Sequence, residues 1–130
     1  MGFIQAVVQF NQEVLGIAQR QVGSLLSEKE ADISHKCLQE ELNEFIEALI
    51  TDDYIDQVDA LIDLTYFAFG VLYKLGLTPE QIEACCNAVH EANMQKKLGV
   101  NAKRDTGAAD AVKSEGWISP ETRIHKILFG

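Results

Sequence analysis

The chain has 130 residues, 47% of them hydrophobic, which is enough for one domain with a core of its own. Its formal net charge of −9 argues against a nucleic-acid polymer or an anionic membrane as partner, since both want a basic face, but leaves open nucleotides carried in with metal ions. Three cysteines, Cys37, Cys85 and Cys86, are an odd number with two adjacent, and read as reduced, small and apolar in a cytoplasmic setting.

The spacing predicts a first helix over roughly residues 3–21, with Phe3, Val7, Phe10, Val14 and Ile17 along one face. Polar residues from Gln5 to Arg20 interrupt it and it lacks a basic start, so it does not read as a secretory signal. A polar link from Val22 to about Asp32 precedes a second helix, from near Ile33 to Ile50, whose core stripe is Leu38, Leu42, Phe45 and Leu49. Asp52 or Asp53 can cap the third helix, which continues to Leu75 and stops at Gly76. That helix is apolar nearly all round and so expected to be buried, with one polar strip of Asp59, Asp63, Gly70 and Lys74 into which Asp56 leads. Its most apolar run, Leu64 to Val71, is far shorter than the ~20 residues that cross a bilayer.

Thr78, Pro79 and Gln81 form a compact start for a fourth helix, expected to reach Leu98 and end at Gly99, with an inward stripe of Ile82, Cys85, Cys86, Val89 and Asn93. Residues 99–117 read as a loop, either closing over a site or making an ordinary surface excursion, and nothing shows the alternation of a strand. Ser119-Pro120-Glu121 opens a last short helix carrying Ile124, Ile127, Leu128 and Phe129. The expected fold is all-α, an antiparallel four-helix core plus a short C-terminal helix, as a single domain over residues 1–130. Apolar surface left on the first helix and the tail predicts a homodimer or homotetramer.

The chemistry concentrates in two acidic groups. Spacings of three and four set Glu40 and Glu41 each beside Glu44 on one side of a helix, and Asp59 beside Asp63 on the next. Like charges so placed repel, and a carboxylate on a buried helix must be paired, protonated or bound to metal. A salt bridge from Asp63 to Lys74 or Arg20, or a solvated acidic face for Glu40, Glu41 and Glu44, would be the plain explanation. Two converging acidic pairs without soft ligands also suit a hard cation such as magnesium. Glu41 lies at the edge of the core stripe and leans inward, whereas Glu47 falls opposite it and reads as surface. Asn93, on the apolar face of the fourth helix beside Lys96 and Lys97, either satisfies a neighbouring helix end or, with those lysines, reaches a phosphate.

Glu40-Glu41-x-x-Glu44, then Asp59-x-x-x-Asp63 on an apolar helix, then Asn93-Met94-x-Lys96 resembles the all-α nucleotide pyrophosphohydrolases, the MazG-like and phosphoribosyl-ATP pyrophosphohydrolase-like group. The resemblance covers about residues 33–98 and, more weakly, Gly116-Trp117-x-x-Pro120. It implies magnesium-dependent cleavage of a ribo- or deoxyribonucleoside triphosphate to a monophosphate and pyrophosphate, a house-cleaning hydrolysis. Glu41, Glu44, Asp59 and Asp63 would hold magnesium, or manganese in its place. Glu40 is the candidate base, and Asn93, Lys96 and Lys97 the candidate substrate contacts. The group's usual second motif is Glu-x-x-Asp; here Ala60 stands three before Asp63, and Asp59 is the candidate replacement. Phosphoribosyl-ATP hydrolysis and a non-catalytic helical oligomerisation or nucleotide-binding module are the alternatives; a di-iron bundle lacks its Glu-x-x-His pairs. Phe10 and Asn11 are candidates for reading the base.

Overall fold

A computed structural model describes residues 1–101, 103, 104 and 107–130. It contains five helices, α1 (Phe3–Glu13), α2 (Glu28–Ile50), α3 (Tyr54–Lys74), α4 (Pro79–Asn93) and α5 (Glu121–Phe129), and two strands, β1 (Lys97–Val100) and β2 (Ala109–Val112). The fold is all-α, as expected, with one small hairpin. The chain divides into two compact units, Met1–Ile82 and Glu83–Gly130.

In the first unit α2 and α3 pack along each other, and α1 lies on α3. Edge-on aromatic contacts fix α1: Phe3 against Tyr66 and Phe69, and Phe10 against Tyr66. The first helix is shorter than its periodicity predicts. It ends at Glu13 and the chain turns away at Gly16, φ +67°, with the Ile17 N–H donating back to the Asn11 carbonyl. The stretch expected to be its last turns instead straps the end of α3. The Tyr73 hydroxyl donates to the Ile17 carbonyl at 2.8 Å, and Gln19 Nε2 donates to the carbonyls of Gly76 and Leu77. Gly76, at φ +96°, is required there, because a Cβ would stand 2.1 Å from the Gln21 carbonyl oxygen.

The second helix starts five residues earlier than its apolar stripe predicts. Ser27 accepts from the Glu30 N–H and Glu30 accepts from the Ser27 N–H, a reciprocal cap inside what reads as polar linker. Glu30 also takes both Arg20 nitrogens, at 3.1 and 2.6 Å, while Arg20 donates to the Lys74 carbonyl. One carboxylate thus ties the start of α2, through Arg20, to the end of α3. Asp53 caps α3, and Thr78 and Gln81 cap α4 reciprocally, as their positions predict.

The third helix is not buried all round in the single chain. Ala60, Gly70 and Tyr73 are sealed, but Val58, Leu61, Ile62 and Phe67 are exposed, as are Leu42, Ile46 and Leu49 on α2. Among the described residues no single helix is long and apolar enough to cross a membrane.

In the second unit α4 stops at Asn93, not Leu98, and Lys97–Val100 pairs antiparallel with Ala109–Val112. Gly99, expected as a helix stop, is a strand residue whose absent Cβ leaves room for the Val112 side chain. The burial of α4 also shifts from the expected stripe: Ile82, Ala88 and Ala92 are buried, whereas Cys86, Val89 and Asn93 are exposed. Positions 99, 100 and 109–112 of the expected 99–117 loop are therefore strand; Asp105 between them lies outside the described residues. Trp117 Nε1 donates to the Ala92 carbonyl at 2.7 Å, and Arg123 pairs with Glu91.

The Arg20 and Ser27 contacts hold the Glu30 carboxyl down at about 2 from its ordinary 4.5, the Arg20 hydrogen bonds being the largest cause. Its ionised form is favoured by folding, so the contribution is complete above about pH 4.5 and is lost as pH falls toward 2. Glu30→Gln should therefore cost about 1–3 kcal/mol at neutral pH, discounted for partial exposure. Thermal melts followed by circular dichroism should show that difference closing at acid pH; a pH-independent difference would assign Glu30 a packing role instead.

Candidate active site

The site is built where α2 runs out and α3 begins. The turn between them places Asp52 in the left-handed region, φ 54°, a conformation that aspartate tolerates better than most residues. The Asp53 N–H and Gln57 Nε2 both donate to the Ala48 carbonyl, at 2.9 and 3.3 Å. Ala48 and Ala60 are nearly fully buried, and small side chains of this kind allow two helices to approach closely. Ala60 thus has a packing role at the position where the resembling group carries an acid.

That approach gathers the acids. Glu41 is half-buried and its Oε2 atom is sealed from solvent without a hydrogen-bond partner. Burial, then the hydrogen bond and charge of Glu44, then the charges of Asp63 and Asp59 push its carboxyl up to about 7. Asp63 is raised as well, by burial first and then by Asp59 and Glu44. It has no ion pair among the described residues, and Arg20, its suggested partner, is committed to Glu30. Glu41, Glu44, Asp59 and Asp63 consequently form one interacting group across two helices. Glu40 is exposed on α2.

Two more acids belong here that the spacing analysis did not select. An open cleft of about 460 Å³ is lined by Glu44, Glu47, Ala48, Ile50, Thr51, Asp56 and Asp59. Asp56 is raised by the charge and hydrogen bond of Asp53 foremost, and also by Asp59 and Glu44. The signal was present in the sequence as Asp56-x-x-Asp59, a spacing of three that repeats Glu41-x-x-Glu44 and Glu44-x-x-Glu47. Glu47 is exposed, as read, but on the wall of the cleft.

Hard carboxylate oxygens and an orphaned buried Oε2 are the donor chemistry a magnesium ion takes. As the side chains stand, no three of the acidic, histidine or cysteine groups among the described residues gather closely enough to hold an ion. The donor set fits magnesium in kind, and the carboxylates would have to draw together to hold it.

Asn93, Lys96 and Lys97 lie in the second unit: Asn93 exposed at the end of α4, Lys96 half-buried, and Lys97 exposed in β1.

A family model described as phosphoribosyl-ATP pyrophosphohydrolase matches residues 12–93. The chain belongs to this family, and through it to the MazG-like all-α nucleotide pyrophosphohydrolases. The match contains every acid of the site on α2 and α3 and stops before β1, so the hairpin lies outside it. Membership in the phosphoribosyl-ATP pyrophosphohydrolase family implies the reaction class, hydrolysis of a nucleotide's acid anhydride. A search of curated proteins gave no match.

Because folding favours protonated Glu41, its ionisation costs stability progressively as pH rises from 4.5 toward 7, and fully above that. Glu41→Gln should accordingly stabilise the protein in chelator by about 1–2 kcal/mol near pH ~8 and leave it unchanged near pH ~4. Melting temperatures across that range decide it, and a variant less stable at the alkaline end would contradict the assignment.

Proposed function

We propose that the protein hydrolyses a ribo- or deoxyribonucleoside triphosphate to the monophosphate and pyrophosphate, with magnesium bound by Glu41, Glu44, Asp59 and Asp63. The observation that carries this reading is the unpartnered, buried Glu41 oxygen within a group of like charges that borders an open cleft. An arrangement that costs stability and leaves a buried carboxylate oxygen without a hydrogen-bond partner suits a ligand of opposite charge. Asp56, on the same cleft wall, joins the candidate ligands.

The ion would supply charge compensation to the phosphate oxygens and Lewis acidity. Glu40, exposed beside Glu41 and Glu44 on α2, is the proposed base: it takes a proton from the attacking water as the new P–O bond forms and the anhydride bond to the departing pyrophosphate breaks.

A recess of about 220 Å³, lined by Phe10, Asn11, Ser34, Cys37, Tyr66 and Phe67 among others, supports a place for the base. Cys37 lies one helical turn before Glu41, and Phe67 one turn after Asp63. Asn11 is 3% exposed; its Nδ2 donates to the Val7 carbonyl, leaving Oδ1 as an acceptor without a partner beside the equally unpartnered Ser34 hydroxyl. Such a recess suits a flat ring bearing an N–H donor. Phosphoribosyl-ATP is the second reading, favoured by the description of the matching family.

The exposed apolar residues of α2 and α3 support a homodimer or homotetramer that covers them, and the nucleotide is the other partner. Light scattering at micromolar concentration should give two or four copies; a monomer would exclude this part.

Pyrophosphate release from a panel of nucleoside triphosphates, with phosphoribosyl-ATP beside them, should require magnesium and fall by at least about 10²-fold in Glu44→Gln. Glu40→Gln should lose kcat with nucleotide affinity retained. Release independent of Glu44 would overturn the site, and none from any substrate would leave the binding-module alternative.

A further inference from the structure

We propose that the β1–β2 hairpin of the second unit forms a site for a compact polyphosphate anion, with Lys96, Lys103 and Lys113 as its charged contacts. Five of the chain's eleven Lys and Arg residues fall between positions 96 and 113, against two acids, Asp105 and Asp110. The most basic segment of an acidic chain is thus its hairpin. A cleft of about 390 Å³ there is lined by Lys96, Val100, Asn101, Lys103, Arg104, Ala111, Val112 and Lys113. Arg104 is paired with Asp110, whereas Lys96, Lys103 and Lys113 have no acidic partner among the described residues.

The pairing register shows that this is more than a scatter of surface charge. The ladder ends at Lys97 opposite Val112, which leaves Lys96 and Lys113 together at one end of the hairpin, just outside the ladder. Like charges brought together there repel. Both ammonium groups are moreover held over one ring, at 5.2 and 5.0 Å from the Trp117 centroid, and that ring is fixed by its hydrogen bond to the Ala92 carbonyl. A multiply charged anion set among these ammonium groups converts the repulsion into charge-assisted hydrogen bonds. Lys97 alternates to the other side of β1 and does not line the cleft, which separates it from Lys96. The net charge of −9 repels a long polyanion and favours a compact one. Naming the anion as polyphosphate rests on the nucleotide reading above; its source is either the substrate's phosphate chain or released pyrophosphate.

Trp117 is the chain's single tryptophan and lies against both lysines, so its emission reports the site directly. In chelator and at constant ionic strength, inorganic tripolyphosphate should give a saturable change in that emission, confirmed by calorimetry. Lys96→Gln with Lys113→Gln should weaken binding about tenfold or more, the arginine pair should retain it, and Lys36→Gln, on α2, should leave it unchanged. If the double glutamine variant loses its circular dichroism, Lys103→Gln alone should still weaken binding about threefold. Pyrophosphate binding as tightly as tripolyphosphate would assign the site to the product, and weaker binding to the substrate's chain. No saturable change, equal affinity in the glutamine variants, the same response to sulfate, or tighter binding of a single-stranded oligonucleotide would overturn it. The titration involves neither turnover nor divalent metal. Anion binding without pyrophosphate release would therefore sink only the catalytic reading, and release without anion binding only this one.

Discussion

The mutual repulsion of Glu41, Glu44, Asp59 and Asp63 is the constraint around which the first unit is arranged. Burial first, and then the charges of the neighbouring acids, Glu44 and Asp59 among them, raise the proton affinity of Glu41 and Asp63. The fold must hold them together from outside the group. Ala48 and Ala60 are sealed, Asp53 caps α3, and the Arg20–Glu30 pair ties the start of α2 to the carbonyl of Lys74. None of these contacts neutralises the acids. The charge stays available to a ligand.

Well-bonded and open regions separate spatially on the same pair of helices. At the far end of α3, Tyr73 is buried and hydrogen-bonded, Arg20 donates to the helix's last carbonyl, that of Lys74, and Gln19 donates to the carbonyls of Gly76 and Leu77 just beyond it. At the near end, the acidic cleft is open. The Asn11 and Ser34 recess lies between them along α3, with two buried polar atoms that no protein group satisfies. Unsatisfied groups in an otherwise well-bonded unit mark where the fold sacrifices stability.

The second unit reverses the electrostatic sign of the first. Its hairpin concentrates lysine around a single tryptophan and lies outside the segment matched by the family. Within that unit, Trp117 anchors the chain after β2 to α4 through the Ala92 carbonyl, and Arg123 on α5 pairs with Glu91. The lysines are therefore presented by a braced element.

Local chemistry made much of this legible. Carboxylates three and four apart share a helix face whatever surrounds them, and the caps at Asp53 and Thr78 with Gln81 need only neighbours in sequence. The inward lean of Glu41 followed from the stripe beside it. What required tertiary structure was whatever depends on partners distant in the chain. The first helix ends early because residues 17–20 bond to the end of α3, more than fifty positions away, and helical periodicity carries no trace of that competition. Strands of four residues are too short to alternate visibly, and Lys96 and Lys113 come to the same end of the hairpin only once the register exists. Asp56 repeats a spacing that the sequence displays, but its place on the cleft wall was decided by how α2 and α3 meet.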